Sequence, residues 1–331
     1  METCKLGGTA LTVSRLGLGL AALGRPGYIN LGHGDDLHAG RDPATMEGQC
    51  HAVLDAAWSL GIRYFDAARS YGQAEAFLAR WLAARSISPE AVTVGSKWGY
   101  TYTAGWQIEA ERHEVKDHSL ATLRRQLGES DALLGRHLKL YQIHSATLES
   151  GVLENRAVHE ELARLRDGGV CIGLSLSGPN QAAVLRHALR IEVGGQRLFG
   201  AVQATWNLLE PSAGDALRAA HAAGLGVIVK EALANGRLTA RNHEPAFAAR
   251  RSVLEGQAAR LRTTLDGLAL AAVLAQPWVD VVLSGAATAE QLQSNVAALS
   301  VRWDEPCADE LRSVAETPAD YWATRGGLRW N

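Results

Sequence analysis

The chain has 331 residues, 47% hydrophobic and 21% charged, with a formal net charge of −2 at pH 7. That composition suits a globular protein with a large core, and it excludes the strongly basic surface of a nucleic-acid binder or of a partner for anionic membranes. Its four cysteines, Cys4, Cys50, Cys171 and Cys307, are far apart and form no C-x-x-C pair, which argues against a zinc site or disulfide framework and for a reducing compartment.

Short apolar or β-branched runs alternate with longer segments of helical period. A strand over 15–20 leads into a Gly-rich loop, 24–43, and then a helix over 45–60. Strand and helix then alternate: 63–67 with 75–84, 92–97 with 115–127, 138–144 with 155–167, and 171–177 with 181–189. The series continues with 201–207 and 214–223, 226–232 and 261–275, and 279–285 and 289–298. A tail over 317–331 lies outside this repeat. Eight such units predict an α/β fold, a (β/α)8 TIM-type barrel, with residues 1–331 as a single domain. Strands that are apolar on both faces, such as Val227-Ile228-Val229 and Val281-Val282-Leu283, suit a parallel sheet covered by helices. Gly61, Gly168-Gly169, Gly224 and Gly226 stand where helices must end before strands. The N-terminus lacks a signal-peptide pattern, and no run approaches the roughly 18 apolar residues of a membrane span, so the cytoplasm is the expected location.

Four polar residues end these strands or follow them closely. Asp66 and Tyr71 lie in Tyr64-Phe65-Asp66-Ala67-Ala68-Arg69-Ser70-Tyr71, Lys97 ends Val92-Thr93-Val94-Gly95-Ser96-Lys97, and His144 ends Leu138-Lys139-Leu140-Tyr141-Gln142-Ile143-His144. A barrel builds its site at that end of its strands. Carbonyl reduction by hydride needs a proton for the developing alkoxide and donors aimed at its oxygen. Tyrosine is a weak acid with a free pKa of about 10. An adjacent ammonium favours phenolate, and a buried carboxylate keeps the ammonium charged. Tyr71, Lys97 and Asp66 supply that set, and His144 supplies a hydrogen bond or proton relay. Taken singly, Asp66 and Lys97 would read as a structural ion pair, Tyr71 as an interfacial tyrosine and His144 as a satisfied strand-end histidine. Their conjunction favours function.

On these residues the chain resembles the aldo-keto reductases over nearly its whole length. The opening Leu6-Gly7-Gly8-Thr9-Ala10-Leu11-Thr12-Val13-Ser14-Arg15-Leu16-Gly17-Leu18-Gly19 is similar to that family's hairpin and first strand, and Asp66, Tyr71, Lys97 and His144 match its catalytic tetrad. The resemblance implies an NAD(P)H-dependent reductase of an aldehyde or ketone, with Tyr71 as general acid. It further implies cofactor contacts at Ser175, at Gln203 for the carboxamide, and at Trp206 for stacking on nicotinamide. Leu176 stands where the family usually has a second carboxamide-binding Asn, with Ser177 and Asn180 nearby as substitutes. The segment 229–239, with Lys230 and Leu233, aligns with the pyrophosphate loop; Glu231 there is expected to point away, with Lys230 supplying charge. Gly285, Gln291 and Asn295 match the adenosine end. The basic residue common at the 2′-phosphate is missing at 285–287, which implies NADPH with room for NADH.

Other readings compete. Gly17-Leu18-Gly19-Leu20-Ala21-Ala22 fits a relaxed dinucleotide fingerprint, but Gly24, Pro26 and Gly27 forbid the helix that must follow. His33, Asp35, Asp36 and His38 form a weak metal-binding group on a loop. A cofactor-binding regulatory or accessory protein with little turnover is the alternative function, and an isomerase or aldolase with Lys97 as Schiff-base amine is a third. Tyr28, Trp98, Tyr100, Trp106, Tyr321 and Trp322 suggest aromatic walls for a medium-sized small-molecule carbonyl substrate rather than a sugar phosphate.

Overall fold

The computed structural model describes residues 1–37 and 40–331, in which eight parallel strands close into a barrel. In chain order these are β1 (Leu16–Gly19), β2 (Tyr64–Asp66), β3 (Thr93–Trp98), β4 (Leu138–Ala146), β5 (Cys171–Leu176), β6 (Ala201–Thr205), β7 (Gly226–Lys230) and β8 (Val281–Ser284). Each pairs with the next, and β8 closes on β1 through Val282–Leu16, Leu283–Gly17 and Ser284–Leu18. The outer ring is α1 (Pro43–Ser59), α2 (Ala74–Ala84), α3 (Leu120–Leu134), α4 (Arg156–Asp167), α5 (Gln181–Ala188), α6 (Gly214–Ala222), α7 (Leu265–Leu274) and α8 (Ala289–Ala297). This is the (β/α)8 barrel that the alternation predicts.

Side-chain alternation along the strands sorts residues into two cores. Outward residues such as Leu18, Phe65, Val94, Leu174, Val202 and Val229 pack under the helices. Inward ones, including Tyr64, Leu140, Ala201, Ile228 and Val281, fill the lower barrel with Leu6 and Val13. Those last two come from an antiparallel hairpin, Thr3–Lys5 with Thr12–Ser14, that seals the N-terminal mouth. Gly7 lets it approach: its φ is +52°, and a Cβ would lie 2.4 Å from the Gly226 nitrogen. One layer higher the same inward register carries Asp66, Lys97, Gln142, His144, Gln203, Thr205 and Lys230. The barrel is thus greasy below and polar at its C-terminal mouth.

The elements differ from expectation at several points, three of which are the largest. Residues 114–116 form a strand paired with Tyr100–Tyr102, and α3 begins only at Leu120, where Ser119 caps the Thr122 nitrogen. The segment before α7 is itself a helix, Ala248–Arg260; its polar sequence buries little beyond Leu254 and Ala258. Arg262 at φ +53° separates it from α7, which starts behind the Thr264 cap. The tail contains α9 (Pro318–Gly326), capped by Thr317 at the Asp320 nitrogen. Its Tyr321 enters a second apolar cluster with Leu209, Leu238, Leu268 and Leu311.

Candidate active site

The four strand-end residues meet at the polar mouth. Lys97 is fully buried and donates to the Asp66 carboxylate, to the Ala67 carbonyl at 3.0 Å and toward the Tyr71 hydroxyl at 3.4 Å. Asp66 also accepts from Tyr64 Oη (3.1 Å), Gln142 Nε2 (3.3 Å) and Gln203 Nε2 (2.9 Å). Its carboxylate is therefore the hub of the floor, and charge assistance makes such bonds strong. With three acceptors around Nζ and no exposure, Lys97 is closed off from the cavity where a carbonyl carbon would have to reach it, which removes the support for a Schiff-base role.

Tyr71 and His144 line a cavity of about 650 Å³ that opens above this hub. Their rings meet edge-on, with centroids 5.5 Å apart. Burial, and after it the Asp66 carboxylate, pushes the Tyr71 phenol well above its ordinary range. This corrects the expectation that Lys97 dominates and lowers it: in this structure Tyr71 carries its proton. Burial pushes His144 well below the ordinary imidazole range, reinforced by Lys97 and Lys230, so the ring is neutral. Ser70 Oγ lies 3.4 Å from Nδ1. A serine hydroxyl donating there leaves Nε2 as the ring's N–H.

The mouth is walled by the loop after β1 and by the tail. Arg25 is buried, donates to the Ser70 carbonyl (2.9 Å) and to Glu114 (3.0 Å), and packs over the rings of Tyr71 (5.3 Å) and Trp330 (4.6 Å). Trp330 stacks flat on His113, and the Asn331 amide donates to the Asn30 carbonyl at 2.9 Å. Contrary to expectation, Glu231 does not point away. It lines the cavity at φ +56°, held by Arg325 Nε at 3.0 Å and by Thr205 Oγ1 at 2.9 Å. Burial alone would raise its pKa, but Arg325 and then Lys230 overcome that and hold it at about 2. Sequence reading missed Arg25, Glu114 and Arg325 as wall residues. Of the expected aromatic walls, Tyr28 lines the cavity, joined by Trp330, and Tyr100 stands 5.0 Å from the His144 ring. Trp98 lies under the helices, Trp106 packs on Phe77, and Tyr321 and Trp322 belong to the second cluster.

The remaining expected cofactor contacts divide. Gln203, Lys230, Leu233, Gly285, Gln291 and Asn295 all line the cavity. Ser175 does not join them; its hydroxyl accepts from the Ser145 nitrogen at 2.8 Å, fixing the kink that follows His144. Leu176 points outward into the main core. Trp206 also faces outward, where it packs edge-on against Trp278 at 5.6 Å and beside the start of α6. Gln203 points in, and three residues further along a strand the side chain points out. Trp206→Ala should therefore cost about 3 kcal/mol of stability and leave dinucleotide affinity nearly unchanged; denaturant melts and a fluorescence titration check both. A large affinity loss with little destabilisation would return the indole to the cavity.

The end of the cavity near α8 is strapped. Arg241 makes a two-pronged pair with Asp36 and bonds the Gly32 carbonyl at 2.9 Å, while Gln291 Nε2 donates to Asp36 at 2.8 Å. Gln49 joins the Asp36 and Ala287 carbonyls. Loops after β1, β7 and β8 are thus tied together. Of the group once read as a metal site, Asp36 is taken up by this strap, His33 is buried, and His38 lies outside the described residues. The cavity also holds Asn235, at φ +55°, whose buried Oδ1 has no partner among the described residues.

Known proteins align with this arrangement. The model of the Aldo/keto reductase family matches residues 15–316. The uncharacterized oxidoreductase YrpG of Bacillus subtilis (strain 168) is 28% identical over 356 residues, covering 97% of this chain and 99% of that protein. Pyridoxal 4-dehydrogenase of Microbacterium luteolum is 28% identical over 222 residues, covering 57% of this chain and 58% of its own. Among solved structures, the holo form of the aldo-keto reductase AKR11C1 from Bacillus halodurans superposes with a TM-score of 0.72 at 21% identity, covering 96% of this chain and 97% of its own.

Proposed function

The chain belongs to the aldo/keto reductase family of oxidoreductases, and from that premise we propose that it reduces an aldehyde or ketone to the alcohol with NADPH, Tyr71 serving as general acid. The observation that carries this reading is the protonated Tyr71 hydroxyl 3.4 Å from the Lys97 ammonium, on the wall of the cavity. Reduced nicotinamide supplies the hydride when bound. Tyr71 Oη gives its proton to the carbonyl oxygen as that oxygen gains charge. The phenolate left behind sits beside Lys97, which Asp66 keeps in place. Neutral His144 donates a hydrogen bond to the same oxygen and is poorly suited to giving up a proton itself.

The walls suit a dinucleotide. Gln203 provides an amide near the tetrad, Leu233 and Asn235 lie on a turn that is left-handed at Ala234 and Asn235 and whose Asn235 Oδ1 has no partner among the described residues, and Gly285, Gln291 and Asn295 form the adenosine end, just after β8 and along α8. Arg241 is the cation near that end, and Asp36 already neutralises it. Discrimination between NADPH and NADH should therefore be weak, with dissociation constants within about tenfold, since charge-assisted bonds are what reward a 2′-phosphate. Paired fluorescence titrations decide this, and a hundredfold preference would overturn it. Residues 1–331 are taken as one domain acting on a small molecule. Four free thiols suit a reducing cytoplasm, and among the described residues no helix is long and apolar enough to cross a membrane. Mixing the protein with NADPH and an aromatic aldehyde, and following absorbance of the reduced dinucleotide, tests the reading. Binding without oxidation would favour the accessory-protein alternative.

A further inference from the structure

Among the described residues, the acceptor end of the cavity holds one more cation than its carboxylates match. Lys97 is paired with Asp66 and Arg25 with Glu114, but Glu231 faces both Arg325 and Lys230. Arg325 takes the good geometry, with Nε 3.0 Å from both carboxylate oxygens and Nη2 2.5 Å from Oε1. Lys230 Nζ stands off at 3.7 Å and makes its short bond to the Thr205 hydroxyl at 2.9 Å. An ammonium has three donors. Thr205 takes one and Glu231 loosely engages another, so a third remains for the cavity that Lys230 lines.

The fold puts that donor in a telling place. Lys230 ends β7 with the inward register and pairs with Thr205 across the β6–β7 ladder. Counting around the closed sheet, β7 stands four strands from β3 in either direction, so Lys230 faces Lys97 across the mouth. Its charge reaches His144, where it adds to that of Lys97. A half-buried cation with incomplete compensation is costly unless an anion joins it. Burial pushes Lys230 down to about 8 against the pull of Glu231, which still leaves it charged at neutral pH.

Resting on the reductase reading above, we propose that Lys230 determines specificity by binding a carboxylate on the carbonyl substrate, whose reacting oxygen lies on the Tyr71–His144 side. The preferred substrates are then aldehydes or ketones that carry a carboxylate group. This moves Lys230 from the pyrophosphate, where sequence alignment put it, to the acceptor.

The test compares benzaldehyde with 4-carboxybenzaldehyde, using NADPH, for the wild-type protein, Lys230→Met and Lys230→Arg. The wild type should favour the carboxylate by about ten- to a hundredfold in kcat/KM, the scale of one hydrogen bond to a charged group, and mainly through KM. Lys230→Met should collapse the ratio toward one and Lys230→Arg restore part of it. NADPH affinity, read by fluorescence, should move by less than about threefold, since no phosphate contact is lost. In the wild type alone, benzoate should compete with the aldehyde far better than benzamide does. Equal use of both aldehydes, an unchanged ratio in Lys230→Met, or a tenfold loss of NADPH affinity in that variant each overturns the assignment. Reduction of neither aldehyde takes down the reductase reading as well, a result distinct from equal reduction of both.

Discussion

Tyr71→Phe should lower kcat by about a thousandfold, within the range lost with a positioned general acid, while dinucleotide affinity stays within about twofold. The change removes one oxygen and keeps the ring that Arg25 covers at 5.3 Å and His144 meets edge-on. The wall therefore survives and only the proton is gone. Single-turnover measurements with saturating NADPH, beside a binding titration, separate the two quantities. Near-normal turnover in this variant would falsify the assignment of Tyr71 as acid. Collapse of cofactor binding would instead make the residue part of the dinucleotide site.

The second large effect is expected at Lys97. Lys97→Met leaves the Asp66 carboxylate buried with Tyr64, Gln142 and Gln203 as neutral donors and no counter-charge. Breaking a buried pair from one side costs roughly 3–5 kcal/mol, and the phenolate formed by Tyr71 would lose its neighbour, so kcat should fall by at least about a hundredfold. Adding Asp66→Asn should recover part of the stability, because the orphaned charge goes with it, and none of the activity. Urea melts of the wild type, both single variants and the double variant measure the coupling. Additive losses would show that the two groups act independently, contrary to their direct contact.

The tetrad was legible because its geometry is local to strand ends. Asp66, Lys97 and His144 each sit one or two residues from an apolar run, and closing a parallel barrel brings all such ends to one mouth. Trp206 shows the limit of matching by resemblance. A spacing of three from Gln203 along a strand already implied opposite faces, so the period-2 rule could have caught it. Arg25, Glu114 and Arg325 offered no comparable signal. They are charged residues on the loop after β1, on a short strand outside the barrel and on the terminal helix, and their partners lie 89 and 94 positions away, in Arg25–Glu114 and Arg325–Glu231. The helix Ala248–Arg260 was obscured because its face is mostly polar, whereas α9 announced itself through Thr317, Pro318 and Asp320, a start signal that reading for strand–helix units passes over.

The knot at Asp36 bears on kinetics. A dinucleotide threaded beneath it could leave only after the bonds to Arg241 and Gln291 part, so departure would be slower than the barrel's open shape suggests. Because one of those links is ionic and partly exposed, added salt should loosen it. Turnover limited by that departure would then quicken with ionic strength, the reverse of what simple charge attraction between protein and phosphate predicts.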